Sequence, residues 1–251
     1  MKKNFDKAIL SVLFHTTELS TFNIDKLSKT EIENIANDEF SRIHTKTLSA
    51  NPVLNVELLI KYLFKNYGAS VEYVKSDYWG ACDLQNNVIY LNQNIKGTNR
   101  ELFILSHEFG HLKLHYRLSM NQATYDMFKD SEYNFKTDKH ELSNSKNWIE
   151  WQANYFASCL TMPKTSLSHW IARKQGLQNN RIGKIYLDDQ PQNRKDFYDL
   201  IKHLAYVFNV SQTSILYRLN ELGLINDQSR LKPIRKVVSE FMDDLIQDYF
   251  V

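Results

Sequence analysis

The hexapeptide Ser106-His107-Glu108-Phe109-Gly110-His111 lies inside an apolar run, and it restricts the fold more than any other stretch of the chain. Histidines four residues apart on an α-helix are about 40° apart round the axis and roughly 6 Å apart along it, so His107 and His111 can reach one ion. Glu108 then points beside that ion. A zinc enzyme needs two or three neutral protein donors, an open position for water, and a carboxylate that is not spent on the metal. An exposed helix can carry His and Glu without any such role. Here Leu102, Phe103, Leu105, Phe109 and Leu112 give the segment an apolar side, which places it in an interior. Thr98-Asn99-Arg100-Glu101 reads as a capping box, so the helix is expected to start there and run to about Tyr116. A glycine inside a helix costs about 1 kcal/mol relative to alanine, so Gly110 implies a close approach of another backbone.

A third donor has to come from elsewhere. Trp148 to Leu160 is helical in pattern, with Glu150, Ala153, Asn154 and Ala157 on one side at i, i+3, i+4 and i+7. The alanines allow this side to approach the first helix closely, which makes Glu150 the expected third ligand and Asn154, one turn on, a supporting partner. His115 continues the i, i+4, i+8 series, but it stands roughly 12 Å along the axis from His107, too far to share its ion. The run after His111 is Leu-Lys-Leu-His-Tyr-Arg, which rules out the HExxHxxGxxH arrangement. His140 and Glu141 remain as alternatives with no element to position them.

The remaining chain supplies the frame. Residues 1–48 mix apolar and charged positions at helical spacing, as in Ile32-Ile35-Ala36-Phe40-Ile43, and read as two or three helices. Asn51-Pro52 breaks the chain, and Val56 to Phe64 reads as a helix ending near Gly68. Val71 to Val74 reads as a strand. Cys82-Asp83-Leu84 and Val88-Ile89-Tyr90-Leu91 read as a hairpin through Gln85-Asn86-Asn87, because asparagine tolerates the positive φ of a tight turn. A small antiparallel sheet is therefore expected before the His107 helix, with an extended peptide lying beside Val88 to Leu91. Cys82 is expected to be a small buried hydrophobe rather than a thiolate ligand. Residues 118–146 read as a long polar excursion.

With 43% hydrophobic and 24% charged residues in 251, the chain can bury one large core or two small ones. A net charge of +2 creates no field that draws it to nucleic acid or an anionic membrane. Two cysteines without a CxxC pattern fit a reducing compartment, and no stretch approaches the ~20 apolar residues of a membrane span. The expected location is the cytoplasm. Lys2 and Lys3 precede the apolar Ala8 to Phe14, but that run is too short for a signal sequence.

Three segments in order, Asn87-Val88-Ile89-Tyr90-Leu91-Asn92, Leu105 to His115, and Glu150 to Ala157 with Met162-Pro163, resemble the ImmA/IrrE metallopeptidases over roughly residues 50–170. Phe109 stands where that family usually has leucine. The resemblance implies a gluzincin-like fold, with His107, His111 and Glu150 on Zn2+ and Glu108 as catalytic base. It also implies a regulatory role, the relief of repression by action on helix-turn-helix repressors of mobile elements or stress responses.

Past Pro163, Arg173 to Lys184 and Asp188-Asp189-Gln190-Pro191 read as a connector with solvated charges. Phe197 to Phe208 and Gln212 to Leu222 flank Asn209-Val210-Ser211, with Gly223 as a stop, and Ala205, Asn209, Val210 and Ile215 match a helix-turn-helix pattern. The second helix offers Gln212, Thr213, Tyr217 and Arg218 but also Glu221, too thin a basic set for DNA, so packing or repressor docking is favoured. Val237 to Tyr249 reads as an amphipathic helix covering the core.

The sequence reading is thus an α+β, mostly helical zincin-like peptidase. Its expected parts are an N-terminal helical segment (1–48), a metallopeptidase domain (49–170) and a helix-turn-helix-like module with a last helix (185–251). Tyr116, His140 and Tyr155 are the candidates for an oxyanion donor. The rival readings are a metal-stabilised protein that masks a repressor without cutting it, and a DNA-binding regulator using the C-terminal helices.

Overall fold

Local sequence sets the first helix, α1 (Lys29–Ile43), through a reciprocal capping box. Ser28 N donates to the Glu31 carboxylate at 2.8 Å, and Glu31 N donates back to Ser28 Oγ at 3.3 Å. The computed structural model describes residues 25–45, 52–116, 145–177 and 183–230. The expected helices before residue 25, the excursion with His140 and Glu141, and the helix at Val237 to Tyr249 lie outside the described residues. After α1 come α2 (Val56–Tyr67), β1 (Ser70–Val74), β2 (Gly80–Asp83), β3 (Val88–Asn92) and α3 (Glu101–Leu114). They are followed by α4 (Ser145–Thr161), α5 (Lys164–Leu177), β4 (Ile185–Leu187), α6 (Pro191–Phe208), α7 (Gln212–Glu221) and β5 (Ile225–Asp227). Asn55 caps α2 by accepting from Leu58 N at 2.9 Å, and Gly68 ends it in the left-handed region at φ 61°.

The fold is α+β, mostly helical, but its first sheet is mixed rather than antiparallel. The strand order is β1-β3-β2, with β1 parallel and β2 antiparallel to β3. The hairpin turn forms as its asparagines require, with Asn87 at φ 54° and the Asp83 carboxylate accepting from Gln85 N and Asn86 N. Because β3 is central, Val88 to Leu91 have a strand on both sides and no room for a peptide. Among the described residues the edges of this sheet are β1 and β2, and β2 is the one that lies against Glu108. The difference arises because the chain between β1 and β2 carries β2 round to the far side of β3, and local pattern contains no record of strand order.

The start of α3 also differs. Thr98 is not its cap: Arg100 occupies that position, and the Thr98 hydroxyl donates to Ile95 O at 2.7 Å while accepting from Arg100 N at 3.3 Å. Glu101 does not reach back as the box requires, because its carboxylate accepts from Tyr73 OH and, at 2.6 Å, from Gly97 N. Local loop partners hold Thr98, while Tyr73 and Gly97 hold Glu101, and the helix begins at Glu101. A further correction concerns residues 164–187. Arg173 belongs to α5 rather than a connector, and Ile185–Leu187 pairs in parallel with β5.

One core fills the space between α1, α2, the three-stranded sheet, α3 and α4, with Leu59, Leu63, Ile89, Leu91, Leu102, Phe109 and Phe156 fully buried. A second gathers Met162 and Leu167 with α6, α7 and β4 around Leu204, Phe208 and Ile215. Within the first core α3 lies directly on α4. A Cβ at Gly110 would sit 3.1 Å from both Cα and O of Ala153 and 3.2 Å from Phe156 Cδ1. Two of these atoms are backbone and cannot swing aside. Gly110→Ala is therefore expected to lose about 1–3 kcal/mol in chemical denaturation despite alanine's better helix propensity. A variant as stable as wild type would mean that α4 can move off α3.

Candidate metal centre

The helical repeat and the α3–α4 contact together decide what faces what. His107, Glu108 and His111 are all buried, and Glu150 and Asn154 project from the α4 face that Gly110 admits. Nε2 of His107 and Nε2 of His111 lie 3.0 Å apart. Glu150 approaches both, with Oε2 3.4 Å from His107 Nε2 and Oε1 3.4 Å from His111 Nε2. The ligand atoms of His107, His111 and Glu150 all fall within 4.8 Å of one another, the single such group among the described residues. Asn154 Oδ1 accepts from His107 Nδ1–H at 2.9 Å.

This arrangement fits a cation. With its Nδ1 proton given to Asn154, His107 turns a lone pair on Nε2 toward the second imidazole and the carboxylate. Glu150 Oε1 is buried and makes no hydrogen bond, a costly state for a carboxylate oxygen unless a positive charge faces it. Burial, then the neighbouring His107 and His115, hold His111 well below the ordinary histidine range, so it is the neutral, metal-binding form. Burial likewise brings His115 down to about 4.

Glu108 stands outside that group, pressed against the edge strand. A Cβ at Gly80 would lie 2.5 Å from Glu108 Oε1 and 2.7 Å from Ile104 Cγ2, so only glycine on β2 leaves room for the carboxylate. Cys82, two residues along β2, is not in the metal-binding group. Burial above all, then the charges of Glu108 and Asp83, push its thiol well up, so it stays protonated.

Residues 54–220 match the family model described as the IrrE N-terminal-like domain, Peptidase_M78. The chain belongs to this peptidase family. The match covers α2, β1 to β3, α3 and α4, and continues into α7. No curated protein matches the chain. Among solved structures, a Mycobacterium tuberculosis transcriptional regulator is similar at 14% identity and TM-score 0.46, over 76% of this chain and 46% of that one. The chain thus spans less than half of that protein.

Within this IrrE-like domain the residues singled out from sequence divide clearly. His107, His111, Glu150 and Asn154 come together with Glu108 beside Gly80. Of the oxyanion candidates, Tyr116 is exposed, while the Tyr155 ring is stacked on Trp151 and faces Lys29 and Arg218. Arg218, considered above for reading DNA, is fully buried with its guanidinium 2.7 Å from Glu33. Sequence reasoning missed Gly80 and Gln152, and treated His115 only as a ligand. His115 carried a signal, since it shares the face of His111 one turn on. Gln152 and Gly80 carried none.

Proposed function

We propose that this member of the IrrE-like peptidase family is a zinc-dependent endopeptidase that cleaves a helix-turn-helix transcriptional repressor. In this reading His107, His111 and Glu150 hold zinc, and Glu108 is the catalytic base. The observation that carries it is the convergence of two imidazole nitrogens and a buried carboxylate oxygen that makes no hydrogen bond, with Glu108, next to His107 in the chain, outside the group. Zinc bound by three protein ligands supplies an open position, Lewis acidity toward a carbonyl, and acidity to a water. Glu108 takes the proton of the attacking water and passes it to the leaving amine. The outer edge of β2, unpaired among the described residues, is suited to an extended segment of substrate, which can add as a further strand and lie along Gly80 and the Glu108 carboxylate.

Elemental analysis is expected to give one zinc per chain, greatly reduced in His107→Ala and in Glu150→Ala but retained in Glu108→Gln, because a base is not a ligand. Full occupancy in Glu150→Ala would remove that residue from the site. The function is tested by incubating the purified protein with helix-turn-helix repressors from the same cell, with chelator-treated protein as control. A metal-dependent cleavage product is expected, and relief of repression without any product would replace cutting by masking.

The rival reading, direct DNA binding by the C-terminal helices, is opposed by one observation. The arginine of α7 is internal, leaving Gln212 and Asn220 as the exposed polar residues of that helix. The protein is expected to form no specific duplex complex of about 10 nM or tighter at physiological salt. Such a complex, weakening steeply as salt rises in a gel-shift titration, would reverse this.

A further inference from the structure

We infer that His115 and Gln152 form a proton-fixed relay that positions His111 as a metal donor. The inference rests on the metal reading above and extends it to residues outside the ligand set. It begins at a backbone carbonyl, which can only accept. Gln152 Nε2 donates to Asp25 O at 3.0 Å, so the side-chain amide has one orientation and Oε1 faces His115 Nε2 at 3.2 Å. An amide oxygen can only accept, so His115 carries its proton on Nε2 and offers a lone pair on Nδ1. Nδ1 of His111 lies 3.1 Å from that nitrogen and must be the donor. His111 is thereby left with a bare Nε2, the nitrogen that faces His107 and Glu150.

Without the relay His111 has a second choice. Protonated on Nε2, it would donate to His107 Nε2 across the 3.0 Å gap and close the site against a cation. Fixing the far proton excludes that state. Gln152 and His115 are both at least 98% buried, so water does not compete for these bonds. His107 receives the same service from Asn154, but in one step from a single amide. The longer relay ties its metal-site histidine to the segment entering α1, through Asp25. His115 and Gln152 are positioning residues: they act on the site through His111.

The test compares two substitutions whose expected order separates a relay from simple packing. Asparagine places Oδ1 where His115 has Nδ1 and can still accept from His111, although it is smaller. Leucine fills more of the space but cannot accept. By chelator competition on the full chain, His115→Leu is expected to bind zinc 10 to 100-fold more weakly than wild type, and His115→Asn to recover most of that loss. If packing alone mattered, leucine would be the better replacement, and that order would overturn the relay. Nitrogen-15 imidazole spectra of the metal-free wild type provide a reading that depends on no variant and on no activity. They should show His115 protonated at Nε2 and His111 at Nδ1, and the opposite assignment for either ring refutes the proposal even if His115→Leu fails to fold. A wild type with these protonation sites that takes up no zinc would sink the metal reading. A wild type that binds zinc as tightly as both variants would sink the relay alone.

Discussion

Glu108→Gln is expected to abolish most turnover while the protein keeps its fold and its zinc. A positioned general base is commonly worth about 10² to 10⁴ in rate, and glutamine keeps the shape of glutamate without its ability to take a proton. The substitution is nearly isosteric, so the contact with Gly80 is preserved and the edge of β2 remains in place. The loss should therefore appear in kcat, with KM for a peptide substrate little changed. The comparison to make is single-turnover cleavage by wild type and variant at equal zinc content, beside derepression in cells. A variant that cuts as fast as wild type would remove Glu108 from the chemistry. One that no longer cuts but still relieves repression fully would leave the site intact and move the biological effect to binding.

Arg218→Ala should cost the fold about 3 kcal/mol, far more than the loss of an exposed ion pair. The guanidinium has no exposure to solvent, and it joins three elements. It donates through Nη2 to Glu33 of α1 at 2.7 Å and through Nε to Met162 O, just past the end of α4, at 3.3 Å. Its Nη1 stands 3.7 Å from Glu221, which in turn accepts from Lys29 at 3.0 Å. Truncation would leave two carboxylates facing a void and a carbonyl without its donor. Breaking a buried pair from one side costs about 3 to 5 kcal/mol. The low end of about 3 kcal/mol applies here, because Glu33 is 24% exposed and keeps some contact with water. Lys29→Ala removes the other cation of the network, but that ammonium is 45% exposed, so its loss should stay under about 1 kcal/mol. Urea denaturation of the two variants measures both. A loss below 1 kcal/mol for Arg218→Ala would mean that the carboxylates turn out to solvent at no cost.

The features legible in the chain are those that depend on spacing along one element. The four-residue step from His107 to His111 and the matching step from Glu150 to Asn154 put each pair on one helical face wherever the helices lie. Gly110 announced the α3–α4 contact because a helix-interior glycine is costly without a neighbour. Asn87 and Gly68 announced a turn and a helix end because few other residues tolerate their positive φ. Even the α+β class follows from periodicity, since the strand and helix repeats differ.

Partner choice across long sequence separation was not legible. Thr98 and Glu101 have the pattern of a capping box, yet Tyr73 and Gly97 hold the Glu101 carboxylate, and only the tertiary fold brings Tyr73, 28 residues away, there. Strand order leaves no mark on the alternation of apolar residues, so a peptide was expected beside Val88 to Leu91, where the described sheet has β1 on one side and β2 on the other. A lone arginine on an amphipathic helix reads as surface, and Arg218 is interior only because Glu33, 185 residues away, arrives to meet it. The chain's local chemistry thus determined which side chains could face one another. Which ones do, including the passage from Asp25 through Gln152 and His115 to His111, depends on packing, because burial rewards the whole set of contacts at once and no single segment contains that information.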